Sequence, residues 1–176
     1  MELPNIVSLL GAVLLIAGTT LVGRVYGKQF QERVDFLRDV QQRLEVLKNE
    51  IAFFKGVLTD SFQRAASAKG PAQELFSRML EQLEMEEGTD VQKAWEYACQ
   101  STCKETYLTQ EDGQVICSFG QLLGTSDVEG QIANLEVLEG QLQQLERKAE
   151  EARKKNQPLW QKIGPIVGIA IAIFLL

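Results

Sequence analysis

Residues 3–22 run for twenty positions without a charge, and no other feature restricts the fate of the chain so firmly. At about 1.5 Å of rise per helical residue, twenty residues make about 30 Å, the thickness of a bilayer's hydrocarbon core. Pro4, Asn5, Ser8, Thr19 and Thr20 interrupt the run, and a span tolerates all of them. A cleaved signal peptide would bring a positive leading segment and an Ala-x-Ala site. Here the only charge ahead of the run is Glu2, and Gly23-Arg24-Val25-Tyr26 follows it. The expectation is a retained transmembrane anchor over residues 1–23.

The other end repeats the theme in shorter form. The last 14 residues, 163–176, are uncharged and alone make about 21 Å of helix. Counted from Pro158, with Trp160 and Lys162 at the interface, they reach about 28 Å. Residues 158–176 are therefore expected to form a C-terminal transmembrane or membrane-embedded helix, with a buried or re-entrant helix as the alternative. Gly164, Gly168 and Ala172 stand at small-xxx-small spacing, which lets another helix backbone approach closely. Gly23 and Gly27 offer a second such pair.

All 18 Lys and Arg, and 23 of the 24 acids, lie between these two runs, leaving the middle with a net charge of −5. Arg24, Lys28, Arg33 and Arg38 follow the first run, while Arg153, Lys154, Lys155 and Lys162 precede the second. Cationic side chains resist translocation, so both flanks are expected in the cytoplasm. Residues 24–157 would then form a cytoplasmic domain of a cell-membrane protein.

The middle reads as helix throughout. Phe30, Val34, Leu37, Val40, Leu44, Leu47, Ile51 and Phe54 recur at steps of three and four, giving a long amphipathic helix that Gly56 is expected to end. A short segment over 58–66 turns Phe62 and Ala65 inward. Lys69-Gly70-Pro71 breaks the chain, with Pro71 placed to start a helix carrying Leu75, Phe76, Met79, Leu80 and Leu83. It should stop before Gly88. Thr89-Asp90-Val91-Gln92 reads as a capping box for a helix burying Ala94, Trp95 and Ala98. Thr109-Gln110-Glu111-Asp112 opens another, with Val115, Ile116, Phe119 and Leu122 inward and a stop at Gly124. Ser126 and Asp127 cap the last, whose stripe Val128, Ile132, Leu135, Leu138, Leu142, Leu145, Ala149 and Ala152 has a coiled-coil-like spacing. The fold class is therefore all-α: about six helices in an antiparallel cytoplasmic bundle between two membrane helices.

Several chemistries are missing. A mildly acidic middle has the wrong sign for nucleic acid. The chain has no histidine, which removes the commonest general base and the commonest metal ligand. No P-loop and no Gly-x-Ser-x-Gly elbow occurs. Glu84, Glu86 and Glu87 cluster before Gly88 but read as a solvated helix end, and Phe36 and Phe53 read as packing. Cys99, Cys103 and Cys117 are an odd number in a segment assigned to a reducing compartment, so all three are expected as free, buried thiols. With no fourth Cys, a closed zinc site cannot be completed within one chain. No catalytic residue, cofactor, metal or small-molecule substrate is expected.

The run Leu122-Leu123-Gly124-Thr125-Ser126-Asp127-Val128-Glu129-Gly130-Gln131 is more specific than its neighbours. As a local pattern it is a helix stop, a cap and a helix start. Its Leu123-Gly124-x-Ser126-Asp127-x-x-Gly130-Gln131 order resembles the signature of the stage III sporulation protein AB family. Gly23-Arg24, Phe62 with Ala65, Gly70-Pro71 with Glu74-Leu75-Phe76, Ala94-Trp95, and Ile163-Gly164 with Gly168 agree with it. The resemblance extends over essentially the whole chain. It implies a component of the transenvelope channel between mother cell and forespore, similar to the inner-membrane platform proteins of type II secretion and type IV pili. It further implies docking of a secretion-type ATPase, stage III sporulation protein AA, and contact with other channel proteins in the mother-cell membrane around the forespore. The chain departs from the family at residues 52–60, where Ala52-Phe53-Phe54-Lys55-Gly56-Val57-Leu58-Thr59-Asp60 replaces a Tyr-x-x-x-Pro-Leu-Pro-Glu type of run.

Two other functions compete. A membrane-tethered coiled-coil scaffold without a motor would use the last helix's seam for self-association. A membrane-embedded enzyme would depend on Glu86 and Glu87, with neither base nor metal site to support it. The platform reading assigns the 123–131 signature to docking or to a hinge, against the plainer role of a helix cap.

Overall fold

In the computed structural model of the protein, the described residues are 3–54, 58–85, 90–122 and 128–175. They form α1 (Leu3–Phe54), α2 (Leu58–Ser67), α3 (Gln73–Met85), α4 (Val91–Glu105), α5 (Gln110–Ser118), a 3₁₀ turn (Phe119–Leu122) and α6 (Val128–Leu175). The protein is all-α, with no strand among the described residues.

The two outer helices are longer than a division into anchor and domain requires. α1 is one helix of 52 residues and α6 one of 48. The first apolar run and the amphipathic stretch after it thus fuse, because only isolated glycines separate them and a lone helical glycine costs only about 1 kcal/mol. α6 continues through Pro158 and Pro165. Each proline removes one backbone donor, yet the flanking turns hold the helical path.

The local start signals are resolved in more detail than the sequence allowed. The cap of α4 is Asp90, whose carboxylate accepts from the Gln92 amide at 3.1 Å. An Asp at this position satisfies an orphan amide directly, and Thr89, on which the anticipated box rested, lies outside the described residues. At α5 the box is complete, with the Thr109 hydroxyl accepting from the Asp112 amide and the Asp112 carboxylate accepting from the Thr109 amide. That helix ends at Ser118 rather than running to Gly124, and tightens into the 3₁₀ turn where Gly120 meets Trp95. A Cβ at Gly120 would stand 2.8 Å from Trp95 Cδ1. The stops expected at Gly56, Gly88 and Gly124, the caps Ser126 and Asp127, and the acids Glu86 and Glu87 lie outside the described residues.

The chain divides into two compact units, one of Met1–Glu32 with Ala149–Leu176 and one of Arg33–Lys148. In the second, Val34, Leu37, Val40, Leu44, Leu47 and Ile51 of α1 are buried, as are Leu135, Leu138, Leu142 and Leu145 of α6. The periodic stripes read from the sequence supply these residues. α2 to α5 add an aromatic cluster in which Trp95 meets Phe62, Phe76 and Phe119 at centroid distances of 6.0, 5.5 and 5.1 Å. The indole N–H is satisfied by the Ile116 carbonyl at 2.9 Å. Burial of such a large side chain favours folding only because its polar atom finds a partner.

In the first unit the apolar surface faces outward. Leu9, Leu10, Val13, Leu14, Leu21 and Val22 of α1 are exposed, as are Ile166, Ile169, Ile173 and Phe174 of α6. Among the described residues one helix, α1, is long and apolar enough to cross a membrane, and its apolar stretch is almost wholly unburied. Lipid would cover it where water would not.

Candidate functional site

In the first unit, α1 and α6 meet through residues that have almost no side chain. A Cβ on Gly23 would stand 2.5 Å from the Trp160 carbonyl oxygen and 3.1 Å from the Gly164 Cα. One on Gly164 would stand 2.6 Å from the Thr19 carbonyl oxygen, and one on Gly168 would collide with the Thr19 hydroxyl and with the Ile16 Cα. Ala172 is buried one turn further on. Such backbone proximity supplies dispersion contacts along both helices. The hydroxyls of Thr19 and Thr20 donate back to carbonyls of their own helix, Leu15, Ile16 and Ile16 again, at 2.7–3.0 Å. At the charged end of this unit Tyr26 stacks on Trp160 at 5.0 Å, and Arg153 donates to Gln31 at 2.6 Å.

The second unit is tied by ions where the first uses glycines. Asp112 is fully buried and receives a two-pronged contact from Arg33, Nε to Oδ2 at 2.7 Å and Nη2 to Oδ1 at 3.0 Å. It also caps α5 and so joins α1 to that helix start. Arg43, 2% exposed, pairs with Asp39 at 3.0 Å and donates to the carbonyls of Ala65 and Ala68. Its guanidinium lies 5.5 Å from the centre of the Phe76 ring. Asp39 in turn accepts from the Ala72 amide at 2.8 Å and leaves no room for a side chain at Gly70. The Lys69-Gly70-Pro71 break is therefore shaped by a buried ion pair on α1.

A polar groove runs between the two long helices within this unit. Arg38 and Gln41 both reach Glu146, at 2.6 and 3.0 Å, and Lys48 reaches Glu139 at 2.6 Å. The hydrogen bond that Lys48 donates to Glu139 holds its ammonium above the ordinary pKa, against the opposing effect of desolvation. Arg78 is raised likewise, first by its bond to Glu105. These pairs orient the helices.

The cysteines depart from expectation. Cys99 and Cys117 are disulfide-bonded, and Cys103 alone is free. The parity argument could not see that α4 and α5 bring those two Cα atoms to 5.6 Å, which is bonding distance. Burial, and then the Asp112 carboxylate, raise the pKa of the Cys103 thiol.

Of the signature residues, Leu123, Gly124, Ser126 and Asp127 lie outside the described residues. Gly130 and Gln131 fall in the first turn of α6 and are half-buried. Arg33, Asp39, Arg43 and Asp112 were missed by the sequence reading, which takes charge as a mark of surface. Only the Thr109-x-x-Asp112 spacing carried a hint.

The comparisons with known proteins agree with one another. The family model described as Stage III sporulation protein AB matches residues 8–176. Stage III sporulation protein AB of Bacillus subtilis (strain 168) is 30% identical over 170 residues, covering 96% of this chain and 98% of the relative. A solved structure of Stage III sporulation protein AB (SpoIIIAB) is similar at a TM-score of 0.64 and 26% identity, over 70% of this chain and 98% of that one.

Proposed function

This chain belongs to the stage III sporulation protein AB family, and from that premise we propose that it is a non-enzymatic membrane platform of the mother cell–forespore channel. It holds a secretion-type ATPase, stage III sporulation protein AA, and other channel proteins to the mother-cell membrane around the forespore. Residues 24–157 face the cytoplasm, and residues 1–23 and 158–176 both lie in the bilayer. It takes no cofactor, nucleic acid or small-molecule substrate.

The observation that carries this reading is the continuity of α1. One helix holds both the exposed apolar stretch and the buried stripe of the bundle. No loop separates the two stretches of that helix. The glycine contacts between α1 and α6 support a membrane location for the C-terminal segment as well. The scaffold alternative has less support, since Leu135, Leu138, Leu142 and Leu145, the seam it needs, are buried within the chain.

The test is affinity purification of the tagged full chain from detergent-solubilised membranes of sporulating cells. Recovery of the secretion-type ATPase is expected. Asp127→Ala combined with Gln131→Ala should lower that recovery while leaving the amount of membrane-bound protein unchanged. Absence of the ATPase from the wild-type sample would overturn the platform role, and undiminished recovery with the double variant would remove the signature from docking.

A further inference from the structure

We propose that Cys99, Cys103 and Cys117, once the Cys99–Cys117 bond is reduced, form a three-thiolate site for one thiophilic divalent cation of the zinc class, with water as the fourth ligand. The three Sγ atoms lie within 4.8 Å of one another. Cys99 and Cys103 stand one helical turn apart on α4, with their sulfurs 3.9 Å from each other. Two sulfurs on a tetrahedral zinc at about 2.3 Å each are about 3.8 Å apart, so this edge of the site already has ligating length. Cys117 comes from the last turns of α5 and completes the triangle.

The surroundings leave space and a way in. A Cβ on Gly113 would stand 3.1 Å from the Cys103 sulfur, so the glycine provides the room that this thiol occupies. Cys117 also lines a surface cleft with Gln92, Glu96, Gln114 and Gly120, open to solvent. A zinc site with three protein ligands keeps one position open, which water from this cleft fills.

The oxidised and metal-bound states exclude each other because they use the same sulfurs. A dithiol reductant supplies two electrons and two protons to the Cys99–Cys117 bond and leaves as its own disulfide, giving two thiols. Binding of the cation then releases three protons and forms three metal–sulfur bonds. A reducing compartment favours the metal-binding form.

The full chain in detergent micelles, reduced with dithiothreitol and desalted without oxygen, is titrated with Co²⁺. One equivalent should give a thiolate-to-cobalt charge-transfer band with tetrahedral d–d bands, and Zn²⁺ should discharge both. The oxidised protein should give neither. Cys103→Ser, which leaves the disulfide partners in place, should weaken binding by about tenfold or more and reduce the charge-transfer intensity. The proposal is overturned if the reduced protein, still helical by circular dichroism, shows no charge-transfer band. It is equally overturned if Cys103→Ser binds as tightly as the wild type, or if two chains share one cobalt.

Discussion

The two compact units solve the same problem, bringing α1 against α6, with opposite materials. In one, glycines at 23, 164 and 168 remove side chains so that backbones touch, and large apolar residues point outward. In the other, Leu37, Leu44, Leu138, Leu142 and their neighbours fill the space, and Arg38, Lys48, Glu139 and Glu146 edge the junction. In the membrane reading proposed above, the difference follows from the solvent each is built for. Water drives apolar side chains inward, whereas lipid is as apolar as leucine and rewards close packing instead. The buried Arg33–Asp112 pair lies close to the boundary of the second unit, on its side.

The comparison breaks most visibly at Trp95. Trp95→Ala should destabilise the bundle by about 3–5 kcal/mol, through a cavity beside Phe62, Phe76 and Phe119 and the loss of a partner for the Ile116 carbonyl. Urea unfolding of the full chain in micelles, followed by circular dichroism, reads this. A loss below about 1 kcal/mol would mean the aromatic cluster is not the core.

Asp112→Ala should cost about 3 kcal/mol, because it strands Arg33 and uncaps α5 together. The same unfolding assay reads it. Restoring stability with Arg33→Met in the same chain would confirm that the stranded charge carries most of the loss.

Gly164→Leu probes the other unit and should cost about 1–3 kcal/mol by forcing the helices apart at Thr19. Unfolding by added dodecyl sulfate in mixed micelles measures it. The substitution adds apolar surface, so an increase in stability would show that this contact is held by burial rather than by close backbone packing.

The smallest effect is expected at Lys48. Its folded-state pKa is raised, so its contribution is fully present below the unfolded value of 10.5 and is lost as pH rises through the folded one. The stability difference between wild type and Glu139→Gln should be about 1 kcal/mol or less at neutral pH and shrink above pH 10.5. A difference that grows with alkalinity would contradict the pairing.

Much of the fold was legible in advance because helix periodicity is a local property. The stripe from Val34 to Ile51 and that from Leu135 to Ala149 are buried as their spacing required. The break at Lys69-Gly70-Pro71 and the helix start at Thr109 were legible for the same reason. Arg43 and Asp112 were not, since a charge becomes an interior residue only when distant elements bring it partners, and residue type alone does not reveal them. The cysteines failed the same way: counting them says nothing about which two helices meet.

Residue order by itself determined that the chain is helical, that its ends are apolar and that all its charges but Glu2 are confined between them, because hydrogen bonding within a helix and solvation of a side chain depend on near neighbours. Only the tertiary structure decided that Arg33 would hold Asp112, that Gly70 would face Asp39 and that three sulfurs would gather between α4 and α5. The first two are contacts across tens of positions, and the third joins two separate helices. Their geometry is set by how whole helices pack, which no short stretch of sequence contains.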